Sequence, residues 1–493
     1  MSKHQATQNV QFAACAASLI NQSEVTNFRV LSNHGSLTGS RKNPSGLLTV
    51  TAIFLCGLAV PASAQNPIPP RIRIVPEKHF TVAPHAVNRV VLQTEPEAAC
   101  NLHVAGDNDP AKTMTLYANI EGYVQFHFTP NEETEDVPLQ LDCATAGAVS
   151  THPVHLHIGS SPTADMPAPM TSIPAPKGSR VLPALTDESA RQLSDQEIVA
   201  LGYSPRPDPA ESPEAYTKWL ETYSRPITML PPQSVRQSAI RHTLPSVEAG
   251  FFSSSHWSGY VAQSVPSSYI RVNGWWHVPN NGNPESPSIN QRSSFWVGLD
   301  GYGLSDLVQA GTEQSIVNFG AFGFIHDNYA WTEVVPNQAE QQQFSVNPDD
   351  YMHVTVWVGD STGAQTPLGH TAWFSIVDQT QSQGGIYSTP LAGTSFSGST
   401  AEWIMERPCV ANCFGPASGW VFPDLAHYGP VIMTDAWVST PTSGTKVTNY
   451  STAENVRINM YNNNYNFPDN NWLSTVYSTS TPTEMQFLWR NYH

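Results

Sequence analysis

The chain has 493 residues, of which 13% are charged, and its formal net charge at neutral pH is -17. This length predicts two or three domains, and the negative charge excludes nucleic acid or an anionic membrane as the main partner. From residue 251 onward there are six Lys or Arg residues against eighteen Asp or Glu. That imbalance suits a protein that works in acid, where carboxylate repulsion fades, although it equally suits simple solubility.

Residues 1–64 are predicted to be a leader with a signal peptide. Arg41 and Lys42 precede an apolar run at 47–60, and the small residues Ala-Ser-Ala follow at 62–64. A basic start, a short apolar middle and a small-residue cleavage site are typical of secretion signals, and the run is short for a membrane span. We therefore expect cleavage after Ala64 and a secreted, extracellular product, with an Ala-rich cleavage site that fits a bacterial exporter.

Residues 65–160 show the period-2 alternation of short strands, for example at 71–75, 89–92 and 123–128. Several such strands separated by turn residues predict a small β-sandwich domain. Its two cysteines, Cys100 and Cys143, are predicted to form a disulfide that joins two strands. The sequence does not indicate what this domain does.

Residues 161–250 are predicted to be a Pro-rich linker followed by a propeptide. The sequence is rich in Pro, Ala and Ser up to about residue 178, and capped helix starts follow at 185–188 and 193–198. A further helix at 213–220 places Tyr216, Trp219 and Leu220 on one face. We interpret this aromatic face as part of a propeptide that covers an active cleft; the alternative is an ordinary interdomain connector.

Residues 251–493 form the last predicted domain, where short strands rich in aromatic and β-branched residues alternate with Gly, Asn, Pro and Ser turns. About a dozen short antiparallel strands with hardly any helical pattern predict an all-β fold. The expected architecture is a large antiparallel β-sandwich of the jelly-roll or concanavalin-like kind.

Three of these strands carry a polar residue on an otherwise apolar or aromatic face. Gln309 shares a strand face with Leu307, Glu402 shares one with Ile404, and Glu333 shares one with Trp331. If these faces line one concave sheet, they present an amide, carboxylates and aromatic rings to a groove. Such a groove suits a peptide or a sugar chain.

Six motifs of this last part resemble, in the same order, those of the glutamic peptidases or eqolisins, such as the scytalidoglutamic and aspergilloglutamic peptidases. The resemblance spans about residues 254–490 and does not cover residues 65–160. The motifs are HWSGYV at 256–261, WHVP at 276–279, FWVGLDG at 295–301, LVQAG at 307–311, YAWTEVVP at 329–336 and AEWIME at 401–406.

The resemblance implies an acid-acting, pepstatin-insensitive endopeptidase whose catalytic pair is Gln309 and Glu402. Glu402 then acts as general base on the attacking water and returns the proton to the leaving amine. Gln309 holds the water and donates to the oxyanion. We expect the pKa of Glu402 to be little raised, because a hydrogen bond from Gln309 holds it down. The resemblance implies neither a metal nor another cofactor.

The resemblance also suggests residues on the substrate side of the groove. Asp300 and Glu333 are predicted as substrate-side or supporting acids, and Glu406 is predicted to be structural. The tryptophans Trp257, Trp296 and Trp331 are groove walls or plain core residues.

Cys409 and Cys413 lie close together and are predicted to form the second disulfide. A zinc site is the alternative, but no second Cys/His pair of suitable spacing lies near them in sequence. The expected partners are protein or peptide substrates and the chain's own propeptide as an inhibitor. We expect a monomer that binds neither nucleic acid nor membrane.

Two alternatives compete with the peptidase hypothesis. Residues 359–363, GDSTG, fit the Gly-x-Ser-x-Gly pattern of serine hydrolases, but no helix pattern follows, so a hairpin turn is expected. The second alternative is a secreted carbohydrate-binding or glycan-processing β-sandwich. A glycosidase needs two carboxylates about 5–10 Å apart, and Glu333 with Glu402 is the pair that the sequence offers.

Overall fold

A computed structural model describes the following residues: 73–74, 79–82, 87–107, 109–130, 136–145, 148–158, 173–233, 242, 253–281, 290–367, 369–411, 413, 419–440, 447–449, 454–462 and 472–491. The predicted leader, residues 1–64, lies outside them. Among the described residues, every helix is too short or too polar to span a bilayer.

The first eight strands form a small β-sandwich, as expected. They are β1 (Arg73–Ile74), β2 (His79–Val82), β3 (Asn88–Gln93), β4 (Ala99–Val104), β5 (Met114–Tyr117), β6 (Tyr123–Pro130), β7 (Asp136–Thr145) and β8 (Ala148–Ile158). One sheet has the order β2-β8-β7-β4-β5, and β1, β3 and β6 pair in the other layer. Cys100 lies opposite Cys143 in the β4–β7 register, and the two form the predicted disulfide.

Three short helices lie between two small strands in the next segment. The elements are β9 (Arg180–Leu182), α1 (Asp187–Gln192), α2 (Asp195–Leu201), α3 (Pro213–Tyr223) and β10 (Ile227–Met229). Thr186 and Ser194 each accept from the backbone N–H three residues on, so both predicted helix starts are capping boxes.

The remaining strands form the large sandwich. They are β11 (Ser253–Ser254), β12 (Trp257–Gln263), β13 (Arg271–His277), β14 (Asn290–Asp300), β15 (Leu307–Asn318), β16 (Gly323–Val335), β17 (Gln338–Ser345), β18 (Tyr351–Gly359), β19 (Thr371–Asp378), β20 (Gln383–Pro390), β21 (Thr400–Glu406), β22 (Asp424–Leu425), β23 (Val431–Ser439), β24 (Val447–Asn449), β25 (Glu454–Tyr461), β26 (Trp472–Ser478) and β27 (Met485–Trp489). The fold is therefore all-β, as the sequence predicted.

These strands pair into two sheets. The sheet that we call the front sheet has the order β25-β12-β21-β14-β15-β16-β17. The back sheet has the order β23-β13-β18-β19-β20-β10-β9. The main core fills the space between them, with Phe295 and Trp403 of the front sheet and Val354 and Phe374 of the back sheet in one cluster. Each strand thus turns alternate residues away from this core.

The helices do not lie over the front sheet, where the aromatic face of α3 was expected to cover a cleft. Tyr216, Trp219 and Tyr223 pack instead in a cluster that includes Val377 of the back sheet. This placement differs from the prediction because the outer face of the back sheet offers aromatic rings such as Trp275, which is 1% exposed. An aromatic helix face gains more there than over a groove lined with carboxylates.

Candidate active site

The outer face of the front sheet brings the predicted polar residues into one row. Gly298 of β14 lies opposite Glu402 of β21 on one side and opposite Gln309 of β15 on the other. Gln309 in turn lies opposite Glu333 of β16. The row across four neighbouring strands is therefore Glu402, Gly298, Gln309 and Glu333, so the three predicted strand faces do line one surface.

Gln309 is hydrogen-bonded to its direct neighbour in this row and not to Glu402 as expected. Its Nε2 donates to Oε2 of Glu333 at 2.8 Å. The reason is strand order, because Glu333 is on the adjacent strand whereas Glu402 is two strands away. Oε1 of Gln309 and Oε2 of Glu402 have no hydrogen-bond partner among the described residues.

Glu402 is completely buried, at 0% exposure. Its Oε1 accepts from the backbone N–H of Tyr302 at 3.4 Å, a residue of the β14–β15 hairpin loop. Burial raises the pKa of Glu402 well above its ordinary value, because a charged carboxylate is costly to desolvate. This direction is opposite to the expectation from sequence, which assumed that Gln309 would stabilise the charged form.

The three predicted tryptophans belong to one cluster on this face of the front sheet. The rings of Trp257 and Trp296 meet edge to face with centroids 4.9 Å apart. Nε1 of Trp296 donates to Oε2 of Glu406 at 2.8 Å, and Nε1 of Trp331 donates to Ser294 at 3.1 Å. The tryptophans therefore lie beside the polar row and outside the main core.

Asp300 is 1% exposed and occupies both its oxygens with the loop before β21. Oδ2 accepts from the backbone N–H of Ser397 at 2.6 Å, and Oδ1 accepts from that of Ser399 at 3.1 Å. Burial raises the pKa of Asp300 while these backbone bonds oppose the rise. The geometry makes Asp300 an anchor for the chain that leads into the strand of Glu402; the predicted contact with substrate stays a prediction.

His242, from the segment before the sandwich, lies on the outer face of the front sheet. Its ring stacks on Trp331 with centroids 3.9 Å apart. Nδ1 lies 2.9 Å from Oε2 of Glu406, and Nε2 lies 2.9 Å from Oε2 of Glu340. Its backbone N–H donates to Glu333 at 3.4 Å. His242 thus contacts the same Glu333 that holds Gln309.

Two carboxylates face the imidazole of His242 and favour its charged form. Burial disfavours the charged form, but the attraction of Glu406 and the hydrogen bonds to Glu340 and Glu406 outweigh it, so the pKa of His242 is raised well above its usual value. Side-chain exposure is 0% for His242 and for both glutamates. A buried histidine clamped between two carboxylates is a strong local contact, because removal of either partner leaves an unpaired buried charge.

A third carboxylate, Glu313, completes the polar end of this surface. Ligand atoms of His242, Glu313 and Glu340 lie within 4.8 Å of one another, a grouping of metal-ligand types. Arg292 already supplies a cation there, with Nη1 3.4 Å from Oε1 of Glu313. Burial nevertheless raises the pKa of Glu313 to about 8, with Arg292 opposing. The donor set fits a proton-sharing cluster better than a metal site.

Sequence reasoning missed His242, Glu340 and Glu313, and it regarded Glu406 as structural. Alternation already placed Glu406 on the face of Glu402, four residues along, so that signal was present. Nothing local marked His242 or Glu340, because the former lies in a Pro-rich segment and the latter in the polar run QAEQQQFS of β17.

Two further expectations concern residues away from this row. Cys409 and Cys413 form the predicted disulfide. The GDSTG stretch at 359–363 is a turn after β18, where Asp360 accepts from the backbone N–H groups of Thr362 and Ala364. No helix follows before β19 in the described part of this connection, so the nucleophile-elbow alternative is excluded.

The fold and the site together define an antiparallel β-sandwich whose front sheet carries buried acids, an amide and tryptophans on its outer face. Residues 255–483 match the Peptidase A4 family, and this part of the chain belongs to that family of glutamic endopeptidases. The chain is therefore a peptide hydrolase, with protein or peptide substrates.

Solved structures of the same family are similar to this part of the chain. Scytalido-glutamic peptidase with a transition state analog inhibitor is 18% identical, over 48% of this chain and 98% of that chain, with a TM-score of 0.36. SCP-B, a member of the Eqolisin family in a complex with the tripeptide Ala-Ile-His, is 16% identical over the same shares, with a TM-score of 0.34. No curated protein matches the sequence.

Proposed function

We propose that the chain is a secreted acid endopeptidase in which Glu402 and Gln309 perform the hydrolysis. The observation that carries the proposal is their position on either side of Gly298. Adjacent strands are about 4.8 Å apart, so the two backbones are separated by about 10 Å. Because glycine has no side chain, no side chain of β14 stands between the two groups, and we propose that a peptide bond and a water molecule are bound there once the surface is uncovered.

Glu402 and Gln309 have different roles in the proposed hydrolysis. Glu402 as carboxylate takes a proton from water as the water attacks the scissile carbonyl, and it returns that proton to the leaving amine. A glutamine amide has two N–H donors. In Gln309 one of them is directed to Glu333, so the other is the donor to the developing oxyanion.

Glu402 is buried in the uncut chain, in which His242 lies on the front sheet. A groove that opens admits water, and water lowers the pKa of a buried carboxyl towards its ordinary value. Glu402 then ionises at a lower pH, as a base that works in acid requires. The excess of acidic residues in this part of the chain supports the same working range.

The contact of His242 supports a precursor that is blocked by its own segment. His242 bonds to Glu333 and stacks on Trp331, next to Gln309 in the polar row. It falls within the interval of about 232–255 where we propose the chain is cut. Cleavage there frees the groove for substrate.

Secretion is supported by the signal-peptide pattern of residues 1–64 and by the two disulfides. Disulfides form and persist in oxidising compartments. The Ala-rich cleavage site supports a bacterial source.

The glycan-processing alternative meets a geometric difficulty. Glu333 and Glu402 are three strands apart in the front sheet, which separates their backbones by about 14 Å. Glycosidases need carboxyl groups about 5–10 Å apart. Gln309 stands between the two acids, where a peptidase dyad uses it and a glycosidase does not.

The test of the dyad is cleavage of a denatured protein at pH about 3 to 4, in the presence of pepstatin and a chelator. Glu402→Gln is expected to abolish activity, and Gln309→Ala is expected to lower kcat by about 10²–10³-fold. Glu484→Gln, just before β27, and Gln486→Ala, in β27, are matched controls that should retain activity. Full activity in Glu402→Gln, or none in a folded and acid-treated wild type, would disprove the assignment.

The test of the blocked precursor is the initial rate on a fluorogenic peptide at pH about 5, with intact mass followed in parallel. His242→Gln is expected to raise the rate of the uncut chain about 30-fold or more, because it removes one partner of a buried charge pair. His370→Gln, at an exposed site, serves as control. An unchanged rate in His242→Gln would show that this contact does not block the groove.

A further inference from the structure

The small β-sandwich and the helices contact the peptidase sandwich through two separate surfaces. On the first, β6 adds to the edge of β16, so that residues 127–130 pair with residues 323–326. Phe128 and Ile325, opposite one another in this register, lie in a core cluster that both sandwiches share. The two sandwiches are thus joined by a continuous sheet and a common apolar core.

On the second surface, β10 adds to the edge of β20 as a parallel strand. Oη of Tyr223 lies 3.3 Å from Oγ of Ser375, and Nε2 of Gln379 donates to the carbonyl of Thr222 at 2.8 Å. Nη1 of Arg271, 1% exposed, donates to the carbonyl of Pro205 at 2.8 Å. Helices and back sheet therefore share buried polar contacts as well as the cluster around Val377.

Neither surface depends on the segment around His242, which joins the helices to the peptidase sandwich along the chain. Strand pairing, shared cores and buried hydrogen bonds hold both contacts. Contacts of this kind persist when a connecting loop is cut, because covalent continuity contributes only loop entropy.

Each surface also buries histidines whose pKa is lowered by burial. His127 and His326 are direct register partners on β6 and β16. Nε2 of His127 lies 3.1 Å from Oδ1 of Asn347, an acceptor, so this nitrogen carries the proton. Nδ1 of His127 has no hydrogen-bond partner among the described residues. Oγ1 of Thr129 lies 3.3 Å from Nε2 of His326.

The third histidine, His353, belongs to the back sheet. Its Nδ1 lies 3.3 Å from Oγ1 of Thr222 on α3, and its Nε2 lies 3.2 Å from Oγ1 of Thr355. Its ring stacks on Trp275 with centroids 4.5 Å apart. The charged group that acts on the pKa of His353 is the cation Arg271, which lowers it.

The charges around the first pair also oppose protonation. Arg89 acts on His127, and His127 acts on His326, both lowering the pKa. The carboxylate of Asp350 accepts from the amide of Asn347, so the side chain of Asn347 lies between it and His127. A second proton on any of the three rings therefore places a buried positive charge without a carboxylate of its own.

We propose that the small β-sandwich and the helices remain bound to the peptidase after the chain is cut near His242, and leave it in acid when these buried histidines take up protons. The proposal extends the precursor processing proposed above, but its physical basis is the two contact surfaces themselves. The partner of the peptidase is thus the N-terminal part of the same chain, held as a separable subunit.

The sign of the pH effect follows from the environment of the rings. Burial lowers the pKa of His127 to about 4 and those of His326 and His353 to about 3. Separation exposes the rings to water, where the pKa is about 6.5. Binding is therefore strongest above pH about 6.5 and weakens as the pH falls, by up to about 100-fold for each histidine at pH about 4.

The experiment uses the full exported chain with Glu402→Gln, so that its own activity plays no part. A recognition sequence for an added specific protease is placed between residues 243 and 252, and the chain is cut at pH about 7. Size-exclusion chromatography with light scattering then follows association at pH steps down to about 3, and circular dichroism reports folding. We expect one species of full mass at neutral pH and two folded species in acid.

A triple variant separates histidine protonation from general acid effects. His127→Gln, His326→Gln and His353→Asn keep a nitrogen donor but do not titrate, and together they should move the separation midpoint down by about one pH unit or more. His370→Gln should leave the midpoint unchanged. Fragments that separate at neutral pH, a wild type that stays associated or unfolds as a whole at pH about 3, or an unmoved midpoint in the triple variant would each overturn the proposal.

Discussion

His242 on the front sheet and His353 on the back sheet occupy opposite electrostatic environments, although both are buried and both contact an aromatic ring. His242 lies between two carboxylates, and its pKa is raised well above the usual value. His353 faces hydroxyl groups and the cation Arg271, and burial lowers its pKa to about 3. A histidine is therefore more easily protonated on the front sheet than on the back sheet. Neighbouring groups, and not burial alone, decide whether its pKa is raised or lowered.

The two sheets differ in the same way in function. The outer face of the front sheet carries a row of acids and an amide around Gly298, whereas the outer face of the back sheet carries aromatic rings under α3. The first surface can perform chemistry and the second can hold a docked segment. Variants placed at matched positions of the two sheets test this division.

The largest effect is expected from a methyl group placed in the row of polar side chains. In Gly298→Ala the new Cβ would lie 2.9 Å from Cδ1 of Leu307 and 3.3 Å from Cβ of Gln309. A shift of Gln309 by a few tenths of an ångström or more should lower kcat/KM by about 100-fold, which steady-state kinetics measures beside thermal melting.

The matched variant is Gly274→Ala in β13, whose Cβ would meet Met433 and Val297 in the main core at 3.1 Å each. It should destabilise the fold by about 1–3 kcal/mol through overpacking and leave kcat/KM unchanged. Equal losses of activity in both variants would mean that Gly298 acts through stability alone.

A smaller effect is expected from Asp300→Asn. Asparagine tolerates the φ of 64° at this position. Its neutral side chain is, however, a weaker hydrogen-bond acceptor for the backbone N–H groups of Ser397 and Ser399. The approach to the strand of Glu402 should loosen, and kcat should fall about tenfold with little change in KM. Steady-state kinetics with thermal melting checks this.

The matched position on the back sheet is Asp435 in β23, which also has positive φ, at 52°. Burial raises its pKa to about 6. Asp435→Asn should keep kcat, and it should slightly favour folding above pH about 6, where the wild-type carboxyl ionises at a cost. A tenfold loss of kcat in Asp435→Asn would contradict the division between the two sheets.

The smallest perturbation is a titration without mutation. NMR of ring-labelled histidine in the uncut Glu402→Gln chain should show His242 protonated at pH about 7 and His353 neutral down to pH about 4. The contact of His242 is therefore stabilised below pH about 6.5 and is lost as the pH rises through its raised pKa, whereas that of His353 weakens as the pH falls. His242→Gln and His353→Asn assign the two signals, and titration of both near pH 6.5 would show that neither is held as described.

Secondary structure was predictable wherever local pattern agreed with the fold. The three strands that carry Gln309, Glu333 and Glu402 alternate clearly, and the capped starts of α1 and α2 were visible in sequence. Strand β17 is not predictable from its sequence because QAEQQQFS shows no apolar alternation, and β20 is not predictable because paired glycines interrupt it. Both are strands through pairing with β16 and β19, which is non-local.

Sequence alone determined the strand faces, the two cysteine pairs and the polar residues of the groove. Alternation fixes which face a residue takes, and this needs no knowledge of neighbouring strands. Tertiary structure decided what stands next to what: Gln309 beside Glu333, Gly298 between Gln309 and Glu402, and His242 clamped by acids from two strands. Those relations depend on strand order and on contacts between residues up to 164 positions apart, which no local pattern in the chain encodes.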